Sequence, residues 1–335
     1  MQINRGEIVK KLIAVFLIVV FVTLLLPLAV VWLMGLGHEQ PDFGQENKVQ
    51  EQVQSGTVSV YVADEEKVED MDINEYLKCV VAAEMPADFE EEALKAQAVA
   101  ARTYLYAHIE AAHNGNITES HNGAPICTDS THCQAYITEQ KRRESWGIGA
   151  DEKWNKISAA VDDTTGQIMT YNGEIISAVF HSTSSGATEA AVDVWGSDVP
   201  YLQSVASEGD EQSPKYHSEL TVSEEEFKST IDEKISGTDW SKELFSNINR
   251  SEAGGIVSLD VGGVNIKGTE LRSIFSLRSA NVELTQNNGN VTMSVKGYGH
   301  GVGMSQYGAN YMASQGRSYE EILKTYYTGI EIEMR

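Results

Sequence analysis

One glutamate, Glu84, lies where its carboxyl group could act as an acid. Apolar side chains from Ile73 to Val81 recur at helical spacing, and the same spacing places Glu84 on their stripe. Pro86 disfavours helical angles at Met85, so we expect the helix to end directly after the glutamate. Burial and the negative end of the helix dipole would both raise the pKa of this carboxyl group and keep its proton available for general acid catalysis. A boundary glutamate that simply reaches solvent is the alternative.

Four potential metal ligands, His121, Cys127, His132 and Cys133, occur within one loop rich in Gly, Pro, Ser and Thr. Two thiolates and two imidazoles would complete the tetrahedral coordination of a structural Zn²⁺ and leave no open position. A Cys127–Cys133 disulfide, which is common outside the cytoplasm, is the alternative, with both histidines exposed. Cys79 lies on the predicted helix next to Val80 and Val81 and is expected to be a buried, small apolar residue.

A glycine-rich segment near the C-terminus, GYGHGVGMSQYGA, carries several hydrogen-bonding side chains. Glycine lets the backbone approach another surface closely, so this segment could bind sugar. Turns that serve only packing are the alternative. The candidate binding residues are His300, Ser305, Gln306 and Tyr307.

A second polar segment, HSTSSGATEA, could hydrogen-bond sugar hydroxyl or N-acetyl groups, with two aromatic residues beyond it as stacking surfaces. It lacks the Gly-x-Ser-x-Gly pattern of a serine hydrolase, and no phosphate-binding loop occurs in a strand-to-helix context. The candidate residues are His181, Ser182, Ser184, Ser185, Thr188, Trp195 and Tyr201.

The N-terminal segment predicts a membrane anchor. The apolar run 12–36 is long enough to cross a hydrocarbon core about 30 Å thick, and basic residues precede it while acidic ones follow. Residues 1–11 are therefore expected in the cytoplasm, and residues 37–56, rich in Gln and Glu, form a linker. A cleaved signal peptide would have a shorter apolar region and a small-residue cleavage site. We expect a single-pass cell-membrane protein whose remaining chain is extracytoplasmic.

Residues 57–335 predict a mixed α+β domain with helices and short antiparallel strands. An Ala-rich stretch predicts a long helix, which Asp88 and Glu91 would begin as a capping box. A hairpin is expected at an Asn-Gly pair, and a final helix is expected to close at Gly329. Short strands dominate residues 207–290, which could form a subdomain.

The negative net charge of the chain limits the classes of partner that it can bind. The chain has 49 acidic and 25 basic residues and a formal net charge of -24. Nucleic-acid binding draws on lysine and arginine to neutralise phosphates, so this composition argues against a nucleic-acid partner. A neutral or weakly charged polymer remains compatible.

Three blocks of sequence resemble one family. The run VVAAEMPADF from Val80, with KAQAVAARTYLY behind it, resembles the signature of stage II sporulation protein D and its relatives, which include amidase enhancers. The segments FHSTSSGATEAAVDVWGSDVPYLQSV from Phe180 and GYGHGVGMSQYGA from Gly297 agree in order and spacing. Together with the predicted anchor, these blocks cover most of the extracytoplasmic part of the chain.

The resemblance implies a sporulation lytic transglycosylase that cleaves peptidoglycan glycan strands without stem peptides and forms 1,6-anhydro-N-acetylmuramic acid. Glu84 matches the family's catalytic acid, and one carboxyl group suffices because the C6 hydroxyl of the substrate attacks its own C1. Hydrolysis would need a second carboxylate, for which Asp193 and Glu189 are the nearest candidates. Arg102 and Gln134, within the matching blocks, are expected to orient Glu84 or the ligand.

The resemblance also implies partners and a metal. Some relatives carry a metal at the Cys and His loop, which favours zinc there. The implied partners are glycan strands, the membrane, and the sporulation amidase, endopeptidase and membrane protein of the engulfment complex. A non-enzymatic wall-binding protein that activates a separate amidase is the alternative function. A zinc amidase or peptidase is a third possibility, which is disfavoured because the four ligands would saturate the metal.

Overall fold

A computed structural model describes residues 56–116 and 118–335. The predicted span 12–36 and nearly all of the linker therefore lie outside the described residues. Within the described ranges, no helix combines the length and the apolar character that crossing a membrane requires.

Helices and strands alternate along the described chain in a mixed α+β fold, as expected. The helices are α1 (Ile73–Glu84), α2 (Glu91–His113), α3 (Glu139–Trp146), α4 (Ala150–Asp163), α5 (Ala191–Trp195), α6 (Glu224–Asp232), α7 (Gly268–Ile274), α8 (Gln306–Ser314) and α9 (Tyr319–Tyr326). The strands are β1 (Thr57–Val62), β2 (Lys67–Asp72), β3 (Ile126–Cys127), β4 (Gln167–Tyr171), β5 (Glu174–Ile175), β6 (Phe180–His181), β7 (His217–Ser223), β8 (Phe245–Arg250), β9 (Ile256–Val261), β10 (Val264–Lys267), β11 (Val282–Asn287), β12 (Asn290–Lys296), β13 (Met304–Ser305) and β14 (Glu331–Met334).

Helix α2 forms the centre of the main hydrophobic core. Its alanines let α1, α4, α8 and α9 pack closely around it, and β4 covers a further side. Leu94 and Leu105 on this helix are fully buried. The helix is thus buried on several faces rather than along one stripe, because small side chains allow close approach.

A second hydrophobic core lies between Leu220 and Val295. It is built from the antiparallel sheets β11-β12-β7 and β10-β9-β8 with helices α6 and α7. The rings of Phe227 and Phe275 stack at its centre with centroids 5.0 Å apart. The possible subdomain at 207–290 overlaps this second core, and its boundaries stay a prediction.

Two distant segments meet in a short parallel pairing. Strand β6 pairs with β13, and isolated bridges join Thr183 to Tyr298 and Glu189 to Val302. Glycine permits this contact: a Cβ at Gly303, whose φ is 73°, would lie 2.1 Å from the carbonyl oxygen of Val179. The glycine-rich segment therefore packs its backbone against the HSTSSGATEA segment, and the predicted strands are not all antiparallel.

Local predictions hold at some helix ends and fail at others. Helix α1 ends at Glu84, and Met85 is extended, as the following proline predicts. The capping box predicted at Asp88 is wrong, because the N-cap of α2 is Glu90, which makes no side-chain capping bond. The last helix ends at Tyr326 rather than Gly329, and β14 follows it and pairs with β4.

Candidate active site

An open groove runs past the end of α1. Its volume of about 620 Å³ lies within the range usual for small-molecule sites. The groove is lined by segments on both sides of the β6–β13 pairing, by the Cys and His loop, and by the connections to the second core. The lining residues are Ala83, Glu84, Tyr104, Ser130, Thr131, His132, Cys133, Gln134, Ala135, Val179, Phe180, Ser182, Trp195, Lys215, Tyr298, Gly299, His300 and Gln306.

Glu84 is half-buried in this groove, and two donors fix its carboxyl group. The backbone N–H of Ala135 donates to Oε1 at 2.8 Å, and Nε2 of Gln306 donates to Oε2 at 3.1 Å. Burial raises the pKa of the Glu84 carboxyl group, while these two hydrogen bonds oppose the rise. The result is a fixed acid that holds its proton to higher pH than an exposed glutamate.

Glu84 is the only carboxylic acid that lines the groove among the described residues. Glu189 and Asp193, the candidates for a second carboxylate, line a separate small pocket. Oε1 of Glu189 accepts a hydrogen bond from the N–H of Gly255 at 3.1 Å, which ties it to the second core. The groove therefore offers one acid and not the flanking pair of carboxylates of ordinary glycosidases.

Aromatic and imidazole rings form one side of the groove. Trp195 is 46% exposed, and its ring centroid lies 5.4 Å from that of His300. Burial lowers the pKa of His300 to about 4, and the charge of Arg272 adds to this effect. The rings are therefore neutral at physiological pH and present a surface on which a sugar can stack.

His181 lies behind this surface rather than in the groove. Its Nδ1 donates to the carbonyl oxygen of Val302 at 3.1 Å, and its Nε2 is buried without a hydrogen-bond partner. Burial lowers its pKa to about 3, and the neighbouring His300 adds to this effect. His181 is thus a neutral ring that packs the two segments together.

A buried carboxylate, Asp210, which the sequence analysis did not identify, ties three segments together. Its oxygens accept hydrogen bonds from the backbone N–H of Ser184 at 2.9 Å and from the hydroxyl groups of Ser184, Ser207 and Ser305. Ser184 and Ser305, both predicted to bind sugar, are therefore committed to Asp210. No spacing or periodicity in EGDEQS would have identified it.

The structure separates the remaining predicted residues into two groups. Ser182, Gln134, Trp195, His300 and Gln306 line the groove with Glu84. The others lie outside its lining and contact neighbouring segments of the protein: Arg102, His181, Ser184, Ser185, Thr188, Tyr201, Ser305 and Tyr307. The groove residues that were not predicted include Tyr104, Lys215 and Tyr298.

Arg102 is 1% exposed and is anchored to the end of α4. Its guanidinium group donates to the carbonyl oxygens of Thr164 at 2.7 Å and Val161 at 3.0 Å. Burial lowers its pKa to about 10. Arg102 therefore joins α2 to the carbonyl end of α4, and no hydrogen bond or ion pair connects it to Glu84.

The predicted metal ligands converge on one point. The ligand atoms of His121, Cys127, His132 and Cys133 all lie within 4.8 Å of one another, and all three cysteines are free thiols. Cys133 Sγ lies 3.6 Å from His121 Nε2, and Cys127 Sγ lies 3.8 Å from His132 Nδ1. Tetrahedral zinc with Zn–N and Zn–S bonds of usual length would separate such donors by about 3.5 Å. The donor set and its spacing therefore fit zinc.

One separation would change on metal binding. His121 Nε2 and His132 Nδ1 lie 2.8 Å apart, whereas two nitrogens on one tetrahedral zinc stand about 3.3 Å apart. The two rings would therefore move apart by about half an ångström. This loop leads within two residues from Cys133 to Ala135, the backbone donor to Glu84.

The fold and site define an α+β protein with an open groove that carries a single fixed acid. A sequence model described as Stage II sporulation protein matches residues 61–171. Stage II sporulation protein D of Bacillus amyloliquefaciens is 40% identical over 276 residues, which cover 82% of this chain and 78% of the relative. Its counterpart in Bacillus subtilis (strain 168) is 38% identical over the same shares. The chain belongs to the stage II sporulation protein D family.

A further relative carries a different name. The protein named Amidase enhancer in Bacillus subtilis (strain 168) is 32% identical over 307 residues, which cover 76% of this chain but 39% of that protein. The resemblance seen in the sequence is thereby confirmed at the level of the family, and the family's name associates the chain with sporulation.

Proposed function

We propose that this protein is a lytic transglycosylase that cleaves the glycan strands of peptidoglycan during sporulation, with Glu84 as its catalytic acid. One observation supports the proposal most directly: the groove holds one half-buried, doubly hydrogen-bonded carboxylic acid and no second carboxylate among the described residues. Membership of the stage II sporulation protein D family supports the biological setting.

The reaction needs no second carboxylate. Glu84 donates its proton to the glycosidic oxygen while the bond from that oxygen to C1 of N-acetylmuramic acid breaks. The C6 hydroxyl oxygen of the same sugar bonds to C1, and the Glu84 carboxylate accepts the proton that this hydroxyl loses. The products are two shorter strands, one of which ends in 1,6-anhydro-N-acetylmuramic acid, while the other carries the protonated leaving oxygen. No water is consumed, and Glu84 ends in its starting protonation state.

The two donors to Glu84 serve the second half of this cycle. Ala135 and Gln306 donate to the carboxylate that forms after proton transfer, and they hold its orientation as it accepts the C6 proton. Burial opposes that ionised form. The balance between burial and hydrogen bonding lets one side chain act first as an acid and then as a base.

The other groove residues would bind the strand. Trp195 and Tyr298 offer ring faces for stacking, and Ser182 and Gln134 offer polar groups. Ser182 is partly exposed, whereas Gln134 is only 2% exposed, so Ser182 is the more accessible of the two polar groups.

Structural zinc is part of the proposal. His121, Cys127, His132 and Cys133 would hold the ion, which would pin their loop and with it the segment that leads to Ala135. Four protein ligands leave no position for substrate, so zinc would supply folding stability and no chemical step. We also propose anchoring by residues 12–36, an extracytoplasmic domain, and contact with the sporulation amidase, endopeptidase and membrane protein.

A second function is favoured by one comparison. A relative named Amidase enhancer matches 76% of this chain, so a non-enzymatic wall-binding protein that activates an amidase is the alternative. In that function the groove would bind glycan without cleaving it.

Mass spectrometry of digested, peptide-free glycan strands separates the two functions. We expect 1,6-anhydro-N-acetylmuramic acid ends from the wild type and none from Glu84→Gln, which keeps the shape of the side chain but cannot supply the proton. Glu152→Gln makes the same change at an exposed position on α4 and should retain full activity. Reducing ends would indicate hydrolysis. Retained glycan binding and amidase stimulation, without cleavage by any variant, would establish the alternative.

A further inference from the structure

One side of the groove is cationic. Lys215 lies on the groove's rim with its ammonium group 5.1 Å from the ring centroid of Tyr298, and the guanidinium group of Arg278 lies 5.8 Å from the same ring. Nη1 of Arg278 donates to the carbonyl oxygen of Lys215 at 3.4 Å, which holds the two residues together. Arg272, partly buried nearby, also lowers the pKa of His300 through its charge.

These cations form no ion pairs with acidic residues in the part of the chain that the structure describes. None of Lys215, Arg272 and Arg278 forms an ion pair within residues 56–116 and 118–335. Among the described residues, Lys215 is the only lysine that lines the groove, and Glu84 is the only carboxylic acid there. Unpaired cations on one side of a groove provide favourable electrostatics for an anionic ligand.

Lys215 lines the groove and is not simply one of the lysines that keep the surface soluble. It lies on the connection between the two cores, where the N–H of Gly297 donates to the carbonyl oxygen of Tyr216 at 2.8 Å. Lys215 and Tyr298 therefore line the groove from two neighbouring segments that this hydrogen bond joins. The acid Glu84 lines the same groove.

A peptidoglycan strand has one kind of anionic group that depends on its processing. The lactyl group of N-acetylmuramic acid ends in a free carboxylate when the stem peptide is absent and in a neutral amide when the peptide is attached. An ammonium group can form a charge-assisted hydrogen bond with the carboxylate but has no comparable interaction with the amide.

We propose that Lys215, supported by Arg278, recognises the free lactyl carboxylate of N-acetylmuramic acid and is therefore the residue that gives the groove the preference for peptide-free strands implied by the family resemblance. The inference rests on the proposed function for its substrate and names the residue that determines specificity. The enzyme that supplies this substrate must then cleave the amide bond between the lactyl group and the peptide.

The test compares two forms of one substrate. Peptide-free strands are used as they are, or with their lactyl carboxylates converted to simple amides by a carbodiimide and ammonia. We expect the wild type to prefer the free acid by about tenfold in kcat/KM, since hydrogen bonds to charged groups are the stronger kind. Lys215→Met keeps an apolar stem over Tyr298, and it should lose this preference because its kcat/KM falls more on the free acid than on the amide form.

A matched control and a binding measurement complete the experiment. Lys234→Met removes an exposed lysine of the second core and should keep the preference. Binding of both strand forms to Glu84→Gln and to the Glu84→Gln, Lys215→Met double variant reports recognition without cleavage. Equal rates and affinities for both forms, or equal losses on both forms in Lys215→Met, would overturn the inference. Absence of anhydro products from the wild type would overturn the proposed function, and the binding preference would still decide the role of Lys215.

Discussion

Replacing Gln306 with methionine tests how Glu84 is tuned. The Gln306 amide donates to Glu84 Oε2 at 3.1 Å, and this bond stabilises the ionised carboxylate. A hydrogen bond to a charged group contributes about 1.5–3 kcal/mol, and the long distance places this one near the lower limit. Losing about 1.5 kcal/mol shifts the ionisation equilibrium of Glu84 roughly tenfold towards the protonated acid. Gln306→Met should therefore raise the pKa of Glu84.

The assay is the pH dependence of kcat/KM on peptide-free strands. Cleavage requires the protonated acid, so activity falls as pH rises through the pKa of Glu84, and Gln306→Met should move this fall to higher pH. The maximum rate should also decrease, because one donor to the carboxylate that accepts the C6 proton is lost. Gln315→Met makes the same change at an exposed position just beyond α8 and should leave the profile unaltered.

Stability provides an independent check with a defined sign. Burial raises the pKa of Glu84 in the folded protein, so its stabilising contribution is complete below the unfolded pKa and is lost as pH rises through the folded pKa. The hydrogen bond from Gln306 stabilises the ionised form of Glu84. The unfolding free energy of Gln306→Met should therefore fall further below that of the wild type as pH rises. An unchanged alkaline limb, or a limb moved to lower pH, would refute this account of Glu84. The other titratable residues that line the groove are Tyr104, His132, Cys133, Lys215, Tyr298 and His300.

Two further predictions concern the supports of the site. Elemental analysis should find one zinc per chain. A chelator should lower the melting temperature and allow a thiol reagent to titrate Cys127 and Cys133. An intact mass lower by two hydrogens, without zinc, would instead indicate a disulfide. Arg102→Met should lower the unfolding free energy by about 2–4 kcal/mol in urea, because the buried carbonyls of Val161 and Thr164 lose their donors. Lost cleavage with unchanged stability would instead show that Arg102 acts on the substrate.

Local sequence patterns predicted several elements that position the site. Helical spacing followed by proline ends α1 at Glu84, because proline restricts the residue before it whatever the rest of the fold does. The Asn172-Gly173 pair turns between β4 and β5 with both residues at positive φ, as this dipeptide favours. The predicted capping box was wrong because Pro86 and the turn after it move the N-cap of α2 to Glu90.

The candidate site was predictable only in part. Glu84 was found because its carboxyl group interrupts an apolar stripe, and the Cys and His loop because its ligand types are informative by themselves. Ser184 and Ser305 were predicted to bind sugar, yet the hydroxyl groups of both donate hydrogen bonds to the buried Asp210. Polar residue types show that a hydrogen bond will form and do not identify its partner.

The sequence by itself determined the family, the helix that carries the acid and the residue types able to hold a metal, because each depends on neighbours along the chain. Tertiary structure alone decided that Gln306 lies beside Glu84, 222 positions away, and that Lys215 and Tyr298 face the same groove. It also placed Glu189 and Asp193 in another pocket. These facts follow from the parallel pairing of β6 with β13 and from the junction of two cores. Contacts between distant segments depend on packing, which no local pattern encodes.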